Sequence, residues 1–167
     1  MVGIMPAMTR PGILLPILFS LLLVAMQVSA QEQTTDSADG QHQVEYAPRS
    51  GNAWIDRHLV DINHYAARYP DSFLDELARY HAVPRAYADA LLRQPEWTPA
   101  DVYMACALAQ VSARPCRAVV REWARDHEGG WEAVAERLEA GPGSEPYRRL
   151  RKGITDSYQR WARPTLR

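Results

Sequence analysis

Histidines, cysteines and glutamates beside indoles are the side chains of this chain that could do chemistry. The sequence holds five histidines and two cysteines. His58, Asp61 and His64 recur three residues apart on one predicted helix. At about 100° per residue, His58 and His64 end about 120° apart, so they cannot close on one ion without ligands from elsewhere. His81 and His127 fall near predicted helix ends, where the dipole favours an imidazolium. All four read as surface or end-of-helix residues, and no metal or cofactor site is expected. A glycosidase needs a carboxyl group against an apolar wall. Glu96 beside Trp97 and Glu122 beside Trp123 are adjacent pairs of that kind. Helical lytic transglycosylases place a serine directly after the catalytic glutamate, and no Glu-Ser pair occurs here. A peptidoglycan-acting hydrolase therefore stands as the alternative function, without a catalytic residue to name.

Cys106 and Cys116 invite a Cys-His peptidase reading, but an even cysteine count in an oxidising compartment favours a disulfide. Two buried thiols are the rival. On a pair of antiparallel helices turning near Ser112 to Arg114, Cys106 would lie about 9 Å deeper than Cys116. A disulfide tolerates Cα separations up to about 7 Å, so the first helix must end early, near Ala109, or the pair must cross steeply.

The elements that position these residues are all helical. Asn52 can cap a helix carrying Trp54, Ile55, Leu59, Ile62, Ala66 and Tyr69, stopped by Pro70. Asp71 or Ser72 can cap a second, with Phe73, Leu74, Leu77 and Tyr80. A third, after Val83-Pro84, presents Tyr87, Ala90 and Leu91. Thr98-Pro99-Ala100-Asp101 sets a capping hydroxyl, a first-turn proline and an acid in order. The helix that follows, to about Gln110, is rich in alanine and is expected at the centre. Arg114-Pro115 opens a fifth helix with Val119, Val120 and Trp123 inward. Trp131, Val134, Ala135 and Leu138 make a sixth, and Ser144 caps a seventh expected to end at Gly153. The fold class is all-α, a single domain of five to seven short helices in an irregular or orthogonal bundle.

Residues 1–30 differ from the rest. Met1 to Arg10 carry one positive charge, Gly12 to Met26 are apolar apart from Pro16 and Ser20, and Val28-Ser29-Ala30 supplies small residues. These are the three parts of a signal peptide, with cleavage expected after Ala30 and a periplasmic or secreted product. A retained anchor is the rival, disfavoured by Pro16 and the cleavage triplet. Residues 31–51 are polar and read as a disordered linker. Residues 52–153 form the expected helical domain and 154–167 a basic tail.

Charge separates the halves. Residues 52–113 hold five Arg against eight acids, and residues 114–167 hold eleven Arg and one Lys against eight. Arg148, Arg149, Arg151 and Lys152, with Trp161 nearby, form the candidate binding segment for an anionic envelope component or a protein partner. Trp161 and Tyr158 could instead dock the tail on the core. Trp131 to Leu138, a turn, and Pro146 to Leu150 also have the outline of a helix-turn-helix. Export removes such a chain from chromosomal DNA, so no nucleic-acid partner is expected, and no integral membrane span after cleavage.

Gly130-Trp131, Ala135, Leu138, Pro142-Gly143-Ser144-Glu145, Tyr147, Leu150 and Lys152-Gly153 resemble a motif of small exported helical proteins of unknown function in Gram-negative bacteria. It covers about one sixth of the chain. Glu139 stands where a glycine usually follows the leucine, and Glu145-Pro146 inverts the usual order. The resemblance implies compartment and fold class and carries over no activity. Together these observations predict a non-enzymatic periplasmic helical module.

Overall fold

The central helix is the one whose start the sequence marks most fully. Thr98 Oγ1 accepts the Asp101 N–H at 3.2 Å and opens α4, Pro99–Val111. Every residue from Ala100 to Ala109 is buried. Small side chains allow this, because they let neighbouring backbones approach from all sides. The structure is a computed structural model and describes residues 46–167. The expected signal peptide and most of the expected linker lie outside the described residues.

Six further helices surround α4: α1 (Ala53–Arg68), α2 (Pro70–Tyr80), α3 (Arg85–Leu92), α5 (Cys116–Arg125), α6 (Gly130–Arg137) and α7 (Glu145–Arg160). The protein is all-helical over the described residues, with α1, α5 and α7 packed on α4. Asn52 caps α1 by accepting the N–H groups of Trp54 and Ile55, and Ser144 caps α7 by accepting that of Tyr147. Ile55, Leu59, Ile62, Phe73, Leu77, Val119, Trp131, Leu150 and Ile154 complete the core. Among the described residues no helix is long and apolar enough to cross a membrane.

Several boundaries differ from expectation. α2 begins at Pro70 itself, with no side-chain cap, because proline's fixed φ suits a first helical position. Ala88, not Ala90, joins Leu91 in the core. Tyr69 and Tyr80 end on the surface, and Tyr65 takes the inner position. α7 passes through Gly153 and incorporates the first seven residues of the expected tail. Its packing against α4 outweighs the penalty of one glycine, about 1 kcal/mol.

Residues 46–51 belong to the folded body, not to a disordered linker. The carbonyls of Pro48 and Arg49 accept the N–H groups of Trp131 and Glu132 at 3.0 and 2.9 Å. They supply what α6 lacks, since Gly129 offers no side-chain cap. Gly130 has φ +72°, and a Cβ there would lie 2.6 Å from Arg49 Cβ and 2.9 Å from Pro48 O. Tyr46 donates its hydroxyl to the buried Asp101 carboxylate at 2.8 Å, as does the Trp131 indole N–H. Composition misjudged this stretch because its anchoring is by backbone groups and one tyrosine.

Cys106 and Cys116 are disulfide-bonded, with Cα atoms 4.5 Å apart. α4 does not end early to permit this. Ala113 takes φ +54°, the Arg114 N–H returns to the Ala109 carbonyl, and Pro115 is extended. An extended residue advances about 3.3 Å against 1.5 Å in a helix, so a few residues recover the depth that a helical return could not.

Candidate functional site

Residues four apart on α7 share a face, and this divides the basic segment in two. Arg148, Arg151 and Lys152 line a shallow groove of about 360 Å³ with Thr155 and the Trp54 indole of α1. The Arg151 guanidinium lies 4.7 Å from the centre of the Trp54 ring and has no carboxylate partner among the described residues. Arg148 pairs with Glu145, and Lys152 with Asp156 at 2.7 Å. Both cations remain mostly exposed, with side-chain exposures of 66% and 75%. Such exposed pairs contribute only about 0.3–0.5 kcal/mol, so an external anion can replace the carboxylate. Arg149 stands apart: its Nη2 donates to the Val111 carbonyl at 2.8 Å, closing the C-terminus of α4. Trp54 joins this face although its spacing placed it inward. It is half-buried, and its N–H donates to the Leu166 carbonyl at 3.1 Å.

Trp161 takes a structural position. Its indole stacks on Tyr65 with ring centres 4.1 Å apart and lies 5.5 Å from Tyr158. Arg163 donates to Asp61 at 2.8 Å, and Tyr158 donates to the same carboxylate at 2.6 Å. Burial, then that carboxylate, raises the Tyr158 phenol above its ordinary range. The tail is thus fastened to α1, and two of its cations serve the fold.

A second group surrounds Glu76, which is 3% exposed on α2. Both of its oxygens accept from the Arg160 guanidinium, and Oε1 also accepts the Ser157 hydroxyl at 2.8 Å. Ser157 in turn accepts from Tyr103 at 2.8 Å. A cleft of about 450 Å³ opens beside this network, bordered by Tyr69, Asp75, Tyr80 and Arg160. A buried glutamate next to a cleft is what a wall hydrolase requires, and sequence reading missed Glu76. Its geometry favours another role. A general acid must present a protonated oxygen to substrate, whereas here the Arg160 fork and Ser157 occupy the carboxylate. Glu96 is exposed beside buried Trp97, and Glu122 pairs with Arg125 and Arg137.

The histidines depart from a uniform surface reading. His64 and His127 are exposed, but His58 and His81 are buried. His58 Nδ1 donates to the Trp54 carbonyl at 2.7 Å, and Nε2 accepts the Leu166 N–H at 3.2 Å. Burial lowers its pKa, and the neutral ring fits both bonds. His81 has no hydrogen-bond partner on either nitrogen and sits 3.9 Å from Glu76. Burial pushes its pKa down to about 4, against the opposing pull of that carboxylate. Spacing alone carries no sign of either burial. The chain matches no protein-family model, no curated protein and no solved structure.

Proposed function

We propose that this protein is an exported, non-enzymatic helical module of the cell envelope that binds anionic groups through the outer face of α7. The observation that carries the reading is the convergence of Arg148, Arg151 and Lys152 with the Trp54 indole in one exposed groove. Guanidinium groups bind phosphate or carboxylate oxygens in pairs, and an aromatic ring beside them holds their orientation. The terminal phosphates of envelope lipids are the ligand class favoured. The basic excess of residues 114–167 supports it, as does a disulfide, which persists in oxidising compartments. In this reading the chain loses residues 1–30 on export. Intact-mass measurement of protein from cells should give an N-terminus at Gln31, and a retained apolar start would overturn periplasmic release.

Retention on vesicles of anionic phospholipid tests the binding. Each basic residue near an anionic surface contributes about 1 kcal/mol, so replacing Arg148, Arg151 and Lys152 together by Gln should weaken retention roughly tenfold to a hundredfold. Retention of the unmodified protein should fall steeply with salt, because charges separated by more than about 8 Å are screened at physiological ionic strength. Equal retention on neutral vesicles would contradict the proposal. The rival wall hydrolase draws on buried Glu76 and its cleft. If it were right, purified protein should release soluble fragments from cell walls and Glu76→Gln should stop that release.

A further inference from the structure

His81 lies where a third surface feature meets the core, remote in sequence from the α7 groove. The end of α2, the start of α3, the end of α4 and the start of α5 enclose a recess of about 250 Å³. His81 and the Cys106–Cys116 disulfide line it, Val83, Pro84 and Ala109 add apolar wall, and Tyr87, Arg114 and Arg117 border it. Its lining is chiefly apolar.

Three observations point to a ligand. First, the His81 ring is buried and neither nitrogen has a hydrogen-bond partner. A buried unsatisfied polar group costs about 1–3 kcal/mol, which a bound molecule with a hydrogen-bonding atom would recover. Second, Arg114 and Arg117 are exposed, and neither has a carboxylate partner among the described residues. The Arg117 guanidinium is held 4.7 Å from the centre of the Tyr87 ring. Third, α5 begins at Cys116 with no side-chain cap, so its first N–H groups add positive potential at the same edge. Apolar walls, a neutral imidazole and an arginine rim select for opposite ends of one molecule.

We propose that this recess binds a small organic monocarboxylate with an apolar body, its carboxylate at Arg114 and Arg117 and its body against the disulfide and Val83. The volume sits below the roughly 300–1,000 Å³ of sites for larger ligands, which favours a molecule of single-ring size. The arginines supply planar donor pairs that match a carboxylate. His81 Nε2 faces Glu76 at 3.9 Å, which leaves Nδ1 as the ring nitrogen for a polar substituent on the body.

Nuclear magnetic resonance titration of the purified, disulfide-bonded protein tests the assignment with three probes: benzoate, benzyl alcohol and acetate. Benzoate should give saturable shifts confined to residues 81–87 and 109–117. Benzyl alcohol, which lacks the charge, and acetate, which lacks the ring, should each bind at least about tenfold more weakly. Arg114→Gln with Arg117→Gln should weaken benzoate by a similar factor while leaving benzyl alcohol unchanged, and both positions are exposed enough to keep the fold. Three results would each overturn the proposal: no saturation by benzoate in the millimolar range, equal binding of benzoate and benzyl alcohol, or a double variant that binds benzoate like the unmodified protein.

Discussion

His81 is the side chain whose surroundings differ most from those of a free imidazole, and this makes stability depend on pH in a definite direction. Its folded pKa of about 4 lies below the ordinary 6.5. As pH falls below 6.5 the unfolded chain takes up a proton that the native ring refuses, so stability is lost between about pH 6.5 and pH 4 and is unaffected above that window. At about 1.4 kcal/mol per pH unit the full loss is about 3 kcal/mol. Thermal melts of the unmodified protein should therefore drop more steeply between pH 7 and pH 5 than those of His81→Leu, and parallel slopes would contradict the burial of His81. His58 adds to the same trend, because protonating Nε2 would turn a proton toward the Leu166 N–H that it now accepts. Neither effect was legible in the sequence. Burial of a single histidine depends on which neighbours arrive from distant helices, and for His81 these are Glu76 at 3.9 Å and the Tyr103 ring, 4.9 Å centre to centre.

Individual helices were legible where local chemistry marks their ends. The Thr98-Pro99-Asp101 start of α4 and the Asn52 and Ser144 caps are all used as read. Helix ends set by tertiary packing were not, and α7 is the clearest case. Nothing lies within 4 Å of a Cβ placed on Gly153, so Gly153→Ala should raise stability by about 1 kcal/mol, checked by chemical denaturation. Gly130→Ala should act oppositely, lowering stability by at least about 2 kcal/mol, because the residue is left-handed and the new Cβ would strike the Arg49 strap. Glu139 has φ +55° after the last turn of α6. Its replacement by glycine should stabilise by a few tenths to about 1 kcal/mol in the same assay. The disulfide closes a separation of 10 residues between α4 and α5. From loop entropy it contributes about 3 kcal/mol, so reduction should lower the denaturation midpoint clearly. Full alkylation of both thiols in unreduced, denatured protein would contradict the bond.

Across the molecule, the C-terminal cations fall into two groups that composition cannot separate. Arg160 and Arg163 neutralise Glu76 and Asp61 and hold the tail on α1 and α2. Arg148, Arg151 and Lys152 stay outside with Trp54. Seven basic residues against two acids in residues 145–167 mark the region as basic, but which of them are free follows only from the packing of α7. Arg149 and Trp161 stand outside that groove for the same reason: one donates to the end of α4 and the other stacks on Tyr65. The most direct measurement pairs Arg151→Gln with Arg160→Gln and follows both melting temperature and retention on anionic vesicles. Arg151→Gln should weaken retention severalfold at an unchanged melting temperature, in line with about 1 kcal/mol for a cation at an anionic surface. Arg160→Gln strands a buried carboxylate, so it should lower stability by about 3 kcal/mol, roughly 10 °C, while the remaining folded protein is retained as before. Loss of retention from Arg160→Gln in folded protein, with none from Arg151→Gln, would contradict the α7 face as the binding surface.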